Sequence, residues 1–317
     1  MISDISSLGS LINLEQLLLW SNKISDISVV QNFINLSELN CGSNRISDIS
    51  AISSLTQLQT FYLWTNPISD ISPISYLVKL NTFYVSNKWL GSHRIQQITS
   101  IRNLVDIQTL SICKTEICDI SAIKQLTKLK VLDLSENKIS DISSVSNLRK
   151  LEQLQLNSNK IQDISAIKSL LCLIKLDINF NGVVDLSPLR YLLLLQELQA
   201  TDNKITDIQA IQHLELKLLS IEANFIQNLS LSEQLAENNL NQYIPPPLLI
   251  LISKRTKSVF ESFEQQIQLS EFQTDLQNMS LKFKQKINRV LQNMNKIQLI
   301  PKIIDLFQKL NSIEISQ

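Results

Sequence analysis

The chain has 317 residues, with 29 basic and 29 acidic side chains and two histidines. The charges divide as 19 basic to 21 acidic through residue 228 and 10 to 8 beyond it, so no basic field is present to recruit nucleic acid or an anionic membrane. Four glycines supply no phosphate-cradling loop, and His93 and His213 fall about five repeats apart, near 25 Å at one strand spacing per repeat, which excludes a shared catalytic role.

In chain order, the phrase Leu-x-x-Leu-x-Leu-x-x-Asn first runs from Leu14 to Asn22 and returns at Leu129 to Asn137 and Leu151 to Asn159, each time before an Ile-x-Asp-Ile turn. One acidic position keeps the register: Asp4, Asp26, Asp48 and Asp70 are 22 residues apart, as are Asp119, Asp141, Asp163, Asp185 and Asp207. Between Asp70 and Asp119, Gln97 takes the Asp slot after an insertion of five residues, since 97 minus 70 is 27. After Asp207 the last clear repeat is one residue short and puts Asn228 in that slot. The amino-terminal Met-Ile-Ser-Asp-Ile-Ser starts inside a repeat turn with no basic-then-apolar leader, which predicts a cytoplasmic, or alternatively nuclear, protein.

Each repeat supplies one short strand and one return segment, neither of which can bury its apolar face alone, so stacking makes the core. In the first repeat Leu14, Leu17 and Leu19 are expected inside, joined by Ile24, Ile27 and Phe33, while Gln16, Leu18 and Trp20 face outward on a concave sheet. Asn22, Asn44, Asn66, Asn137, Asn159, Asn181, Asn203 and Asn224 stand where the chain leaves the strand, and the spacing predicts a buried amide ladder that satisfies free backbone groups. The Asp column invites a calcium reading. One carboxylate per repeat, at a turn opening a helical segment, fits a backbone cap better than an ion that wants six to eight converging oxygens. No metal or cofactor is expected.

The outward columns follow from the register. One runs Leu18, Asn40, Tyr62, Tyr84, Ser111, Asp133, Gln155, Asp177, Gln199, Ser220, and the next runs Trp20, Gly42, Trp64, Ser86, Cys113, Ser135, Asn157, Asn179, Thr201, Glu222. Trp20, Tyr62, Trp64 and Tyr84 lie in the first four repeats. Tryptophan and tyrosine are over-represented where interfaces carry their energy, so these four predict the contact with a protein partner. Gly42, between Trp20 and Trp64, predicts an open slot of about 10 Å, two strand spacings, that admits one partner side chain. The competing reading is that the rings stack as cross-strand pairs and merely cover the sheet. The insertion, Asn87 to Arg94, brings Trp89 and Arg94 to the rim, either as an extension of the aromatic patch or as neutral drift. Asp133, Glu136, Asp177, Glu197, Asp202 and Glu222, with Lys175, read as a mixed solvated face that confers specificity and little affinity.

Cys41, Cys113, Cys118 and Cys172 fall at unrelated repeat positions, forming neither a disulfide frame nor a zinc pattern. From about residue 229 the repeat stops. Pro245 to Pro247 make a break, and the apolar run Leu248 to Ile252 is far short of the about 20 residues that span a membrane. Phe272, Leu276, Met279, Phe283, Ile287, Val290, Met294 and Ile297, spaced by three or four, predict a helical stripe. The 229–317 segment is thus read as two or three helices that cap the repeats, self-associate as a coiled coil or capture a partner.

The phrases Asn-Lys-Ile-Ser-Asp-Ile-Ser and Asn-Pro-Ile-Ser-Asp-Ile-Ser-Pro-Ile closely resemble the 22-residue leucine-rich-repeat subclass of bacterial internalins and of the leucine-rich-repeat regulatory subunit of protein phosphatase 1, over residues 2 to 228. The resemblance implies an α/β repeat, a curved right-handed solenoid over residues 1–228 in about ten to eleven repeats with a parallel concave sheet, to which the apolar stripe adds a helical carboxy-terminal extension over 229–317. It also implies a non-catalytic interaction scaffold, with a phosphatase regulator and an internalin-like surface adhesin as the alternatives.

Overall fold

The computed structural model describes residues 1–86 and 95–226. Ten short strands form one parallel sheet in strict chain order: β1 (Gln16–Leu18), β2 (Glu38–Asn40), β3 (Thr60–Tyr62), β4 (Thr82–Ser86), β5 (Thr109–Cys113), β6 (Val131–Asp133), β7 (Gln153–Gln155), β8 (Lys175–Asp177), β9 (Glu197–Gln199) and β10 (Leu218–Ser220). The two register irregularities sit where the Asp column puts them. Thr82 pairs with Thr109, 27 residues on, and Glu197 pairs with Leu218, 21 residues on.

The return segments depart from the expected helix type. Among the described residues every one is a 3-10 helix of three to five residues and none is α-helical, so the α/β expectation is corrected to a β sheet closed by 3-10 turns. The cause is a spacing of three. Ile49, Ile52, Leu55 and Leu58 are all buried, and a helix with three residues per turn puts them on one side. The backbone follows, with Ile52 N–H donating to Ile49 C=O, Leu55 to Ile52 and Leu58 to Leu55 at 3.0, 2.9 and 2.9 Å.

Across the return segment and strand, one repeat then buries Ile46, Ile49, Ile52, Leu55, Leu58, Phe61 and Leu63, and the next repeats this set as Ile68 to Val85. Cys41 replaces the leucine of that last position, and burial pushes its thiol up to about 12.

The asparagine column does form a ladder. Asn44 Nδ2 donates to the carbonyls of Leu19, Cys41 and Gly42 at 2.9, 3.0 and 3.2 Å, and its Oδ1 accepts from the Ile24 amide at 3.0 Å. The same four bonds recur at Asn66, Asn159, Asn181, Asn203 and Asn224. Asn22, Asn159 and Asn181 are half-buried rather than buried. Where the column is broken, Thr115 donates its hydroxyl to Asn137 Oδ1 at 2.6 Å.

Just ahead of the column the chain bends through the left-handed region. Among the described residues nine non-glycine ones, including Ser43, Thr65, Glu136 and Phe180, have φ of 54 to 59°. Each costs roughly 1–2 kcal/mol against a right-handed residue. The turn they make delivers each asparagine to its four backbone partners, which offsets that cost.

The aspartate column caps the turns, one residue earlier than a helix N-cap. In all nine repeats the Asp Oδ1 accepts the amide two residues on, at 2.7–2.8 Å, and this donor is the first residue of the 3-10 helix. Bonds from the amide and then the hydroxyl of Ser6, Ser50 and Ser121 hold Asp4, Asp48 and Asp119 below the usual carboxylate range. Depressed in the fold, these groups contribute stability that is present above the ordinary carboxylate value and is lost as pH falls through the lowered one. Replacing Asp141, whose Oδ1 accepts from Ser143 N–H at 2.7 Å, with alanine is expected to cost about 1 kcal/mol in urea unfolding at an unchanged slope.

Candidate functional site

One side of the sheet packs on the core, while the other carries the two outward columns. The strand register brings Leu18, Asn40, Tyr62, Tyr84, Ser111, Asp133, Gln155, Asp177, Gln199 and Ser220 into a single row of neighbours. Backbone pairing continues past the strand ends, with Ser21 N–H donating to Gly42 C=O and Ser43 N–H to Trp64 C=O, so the Trp20, Gly42, Trp64 row is equally ordered.

At the amino-terminal end of these rows the aromatic side chains take two arrangements. Tyr62 and Tyr84 are half-buried and pack as a cross-strand pair, with ring centroids 5.3 Å apart and planes at 30°. The rings meet tilted across the strands, a pairing worth about 0.5–1.5 kcal/mol beyond area burial. The Tyr84 hydroxyl is pushed above its ordinary value by burial first, then by Tyr62 and Asp133. Trp64 does not leave a slot. Its indole lies across Gly42, so close that a Cβ there would fall 2.3 Å from Cε2 and 2.7 Å from Cδ2. The open gap expected between Trp20 and Trp64 is therefore occupied by Trp64 itself, because bare backbone offers a flat seat to an indole that a side chain at residue 42 would deny. Trp20, two residues past the end of the edge strand β1, remains 56% exposed. Trp89, Arg94 and His93 lie outside the described residues.

Gly42→Ala is expected to lift the Trp64 ring off this seat. The clash is with a side chain and not with backbone, so it is the indole that must shift. The emission of Trp64, read in a variant with Trp20 and Trp89 both changed to phenylalanine, should move to longer wavelength.

Further along, the row turns acidic and is less solvated than expected. Asp133 is half-buried and accepts from Ser111 Oγ and from the Ser135 amide, both at 3.0 Å. Asp177, two strands away with Gln155 between, accepts from the Asn179 amide at 2.9 Å. Burial raises the Asp177 carboxyl above its usual range; the Asn179 bond opposes this and the nearby Asp133 charge adds to it. Beside Asp133, the half-buried Cys113 thiol is raised by burial and then by that same carboxylate. Glu136 pairs with Lys114 at 3.2 Å and Glu197 with Lys175 at 2.9 Å, exposed contacts worth about 0–1 kcal/mol.

No group of three or more His, Cys, Asp or Glu that could hold a metal occurs among the described residues, and no helix there is long and apolar enough to cross a membrane. His213 Nε2 lies 2.6 Å from the Arg190 carbonyl, on the return side. A polar groove of about 410 Å³ opens between the second and third return segments, but its carboxylates, Asp26 and Asp48, are committed to their turn amides.

Comparison with known proteins follows the repeat. The family model for leucine-rich repeats, in two copies, matches residues 12–54, 34–76 and 127–169. An internalin, inlF of Listeria monocytogenes, superposes with a TM-score of 0.70 at 35% identity, over 74% of this chain and 68% of that one. A second internalin of that organism, internalin C2, gives 0.56 at 30% identity, over 59% of this chain and 80% of its own. A leucine-rich-repeat protein of Leptospira interrogans gives 0.65 at 26%, over 74% and 61%. No curated protein matches the chain.

Proposed function

Since the chain belongs to the leucine-rich-repeat family, with repeats of the internalin kind, we propose that it is a non-catalytic scaffold that binds a segment of a protein partner on the open face of its sheet, which is concave in this reading. The observation that carries the proposal is the aromatic cluster. Tyr62 and Tyr84 pack together and Trp64 lies over Gly42 on adjoining strands of this face, with Trp20 exposed at its margin. Aromatic side chains that are half-buried in the free protein lose little rotamer freedom when a partner covers the rest, so they give contact area at low entropic cost. The packing of Tyr62 against Tyr84 serves this role, because it presents two rings as one platform.

The test is affinity capture with the wild-type chain beside the Trp20→Ala, Tyr62→Ala, Trp64→Ala, Tyr84→Ala quadruple variant, with circular dichroism verifying that both fold. Partners captured by the wild type and lost by the variant are expected. Partners held equally by both would overturn the placement and move the search to the 229–317 segment.

A further inference from the structure

The lysine–carboxylate pairs on this solenoid follow one rule, and Asp133 and Asp177 stand outside it. Lys114 pairs with Glu136, Lys128 with Asp106, Lys130 with Glu152, Lys138 with Glu116 and Lys175 with Glu197. In every case the two numbers differ by 22, so each acid is met by a lysine at the same position of the adjacent repeat. The positions one repeat from Asp133 are Ser111 and Gln155, and those from Asp177 are Gln155 and Gln199. Neither carboxylate has a basic neighbour in its row, and among the described residues neither takes part in an ion pair. Both are half-buried, and both are held in place by hydrogen bonds to Ser111, Ser135 and Asn179.

A second observation marks the same spot. Ser135, two residues past Asp133 on the same face, is 7% exposed and its hydroxyl has no hydrogen-bond partner. A buried hydroxyl left unpaired is costly, and a native structure keeps one only with a reason. The Tyr62–Tyr84 platform lies in the same row, two strands before Asp133.

Resting on the binding face proposed above, we infer that the partner segment carries an arginine or lysine that docks over Gln155 between Asp133 and Asp177, with an apolar residue seated on Tyr62 and Tyr84. The geometry sets the spacing. From β7 back to β4 or β3 is three or four strand steps of about 4.8 Å, which an extended chain rising about 3.3 Å per residue covers in about four to six residues. The cation relieves the repulsion between the two carboxylates and supplies donors to oxygens that lack a charged partner, while the alkyl stem of its side chain packs over Gln155. The raised carboxyl of Asp177 fits a site whose charge is uncompensated in the free protein.

The experiment selects peptides from a displayed library of random sixteen-residue sequences on the full chain, in parallel with an Asp133→Asn, Asp177→Asn variant. At position 133 the amide oxygen still accepts from Ser135 N–H while its NH2 donates to Ser111 Oγ, and at position 177 the amide oxygen keeps the bond from Asn179. The variant also drops a half-buried charge, so it is expected to fold at least as stably at neutral pH, as circular dichroism and thermal melting would verify. The wild type should enrich peptides with a basic residue four to six positions from a large apolar one. The variant should lose the basic preference, and a wild-type-selected peptide should bind it about ten- to hundredfold more weakly. Peptides lost on Tyr84→Ala but lacking the basic residue would overturn this inference and leave the binding face standing. Peptides indifferent to every substitution on this face, or no enrichment at all, would overturn both.

Discussion

Asn66→Asp is expected to lower the unfolding free energy by about 3 kcal/mol or more, measured from the urea midpoint of the purified chain. Asn66 is fully buried, and its Nδ2 donates to Cys41, Leu63 and Trp64 carbonyls at 2.9, 3.2 and 3.4 Å while Oδ1 accepts from Ile46 N–H at 2.9 Å. Aspartate keeps the acceptor and the shape but turns the donor into a second oxygen that faces three carbonyls. Each group left unsatisfied in the interior costs about 1–3 kcal/mol, and a charged one costs more. The half-buried Asn159, with the same bonds, should lose less on the same substitution, since water can reach it. Equal and small losses at both would show that the ladder follows the fold rather than holding it.

Phe83→Ala should cost about 3–5 kcal/mol by the same measurement. The Phe83 ring is wholly buried in β4 and stacks on Phe61 with centroids 5.7 Å apart and planes at 22°. Leucine stands at this position on either side of the Phe61–Phe83 pair, as Leu39 and Leu110, so Phe83→Leu is expected to lose far less. The cavity left by alanine lies against β5, where the ladder is five residues long and resists collapse. A loss below about 1 kcal/mol would mean that the repeats close over the void, contrary to a close-packed core.

Much of this was legible from one column of residues. The Asp spacing told the register of all ten strands, including the 27- and 21-residue steps, because a parallel ladder repeats with the chain period. The type of the return helix was legible too and was missed. Ile24, Ile27 and Phe33 were assigned to the core, and Val30 falls midway between the last two, a spacing of three that asks for a 3-10 turn. The aromatic patch was located, but its inner arrangement was not. A glycine between two tryptophans reads as a hole from periodicity alone, whereas the backbone it exposes is itself a surface for an indole. Counted over the whole face, the charges of the acidic half read as a solvated mixture. Compared row by row, lysines stand one repeat away from Glu136 and Glu197 and none from Asp133 or Asp177.

The five-residue excess between β4 and β5 and the one-residue shortfall between β9 and β10 leave the sheet unbroken, and Tyr84 still meets Ser111 as Gln199 meets Ser220. The strands thus keep time by docking on the previous rung and not by tallying residues, so the connections are free to lengthen or shorten without moving anything displayed on the face. In such a molecule the text that a partner reads and the punctuation between its lines are inherited separately: a loop can be rewritten while the row from Leu18 to Ser220 stays in alignment, and a single letter of that row can change without disturbing its neighbours' places.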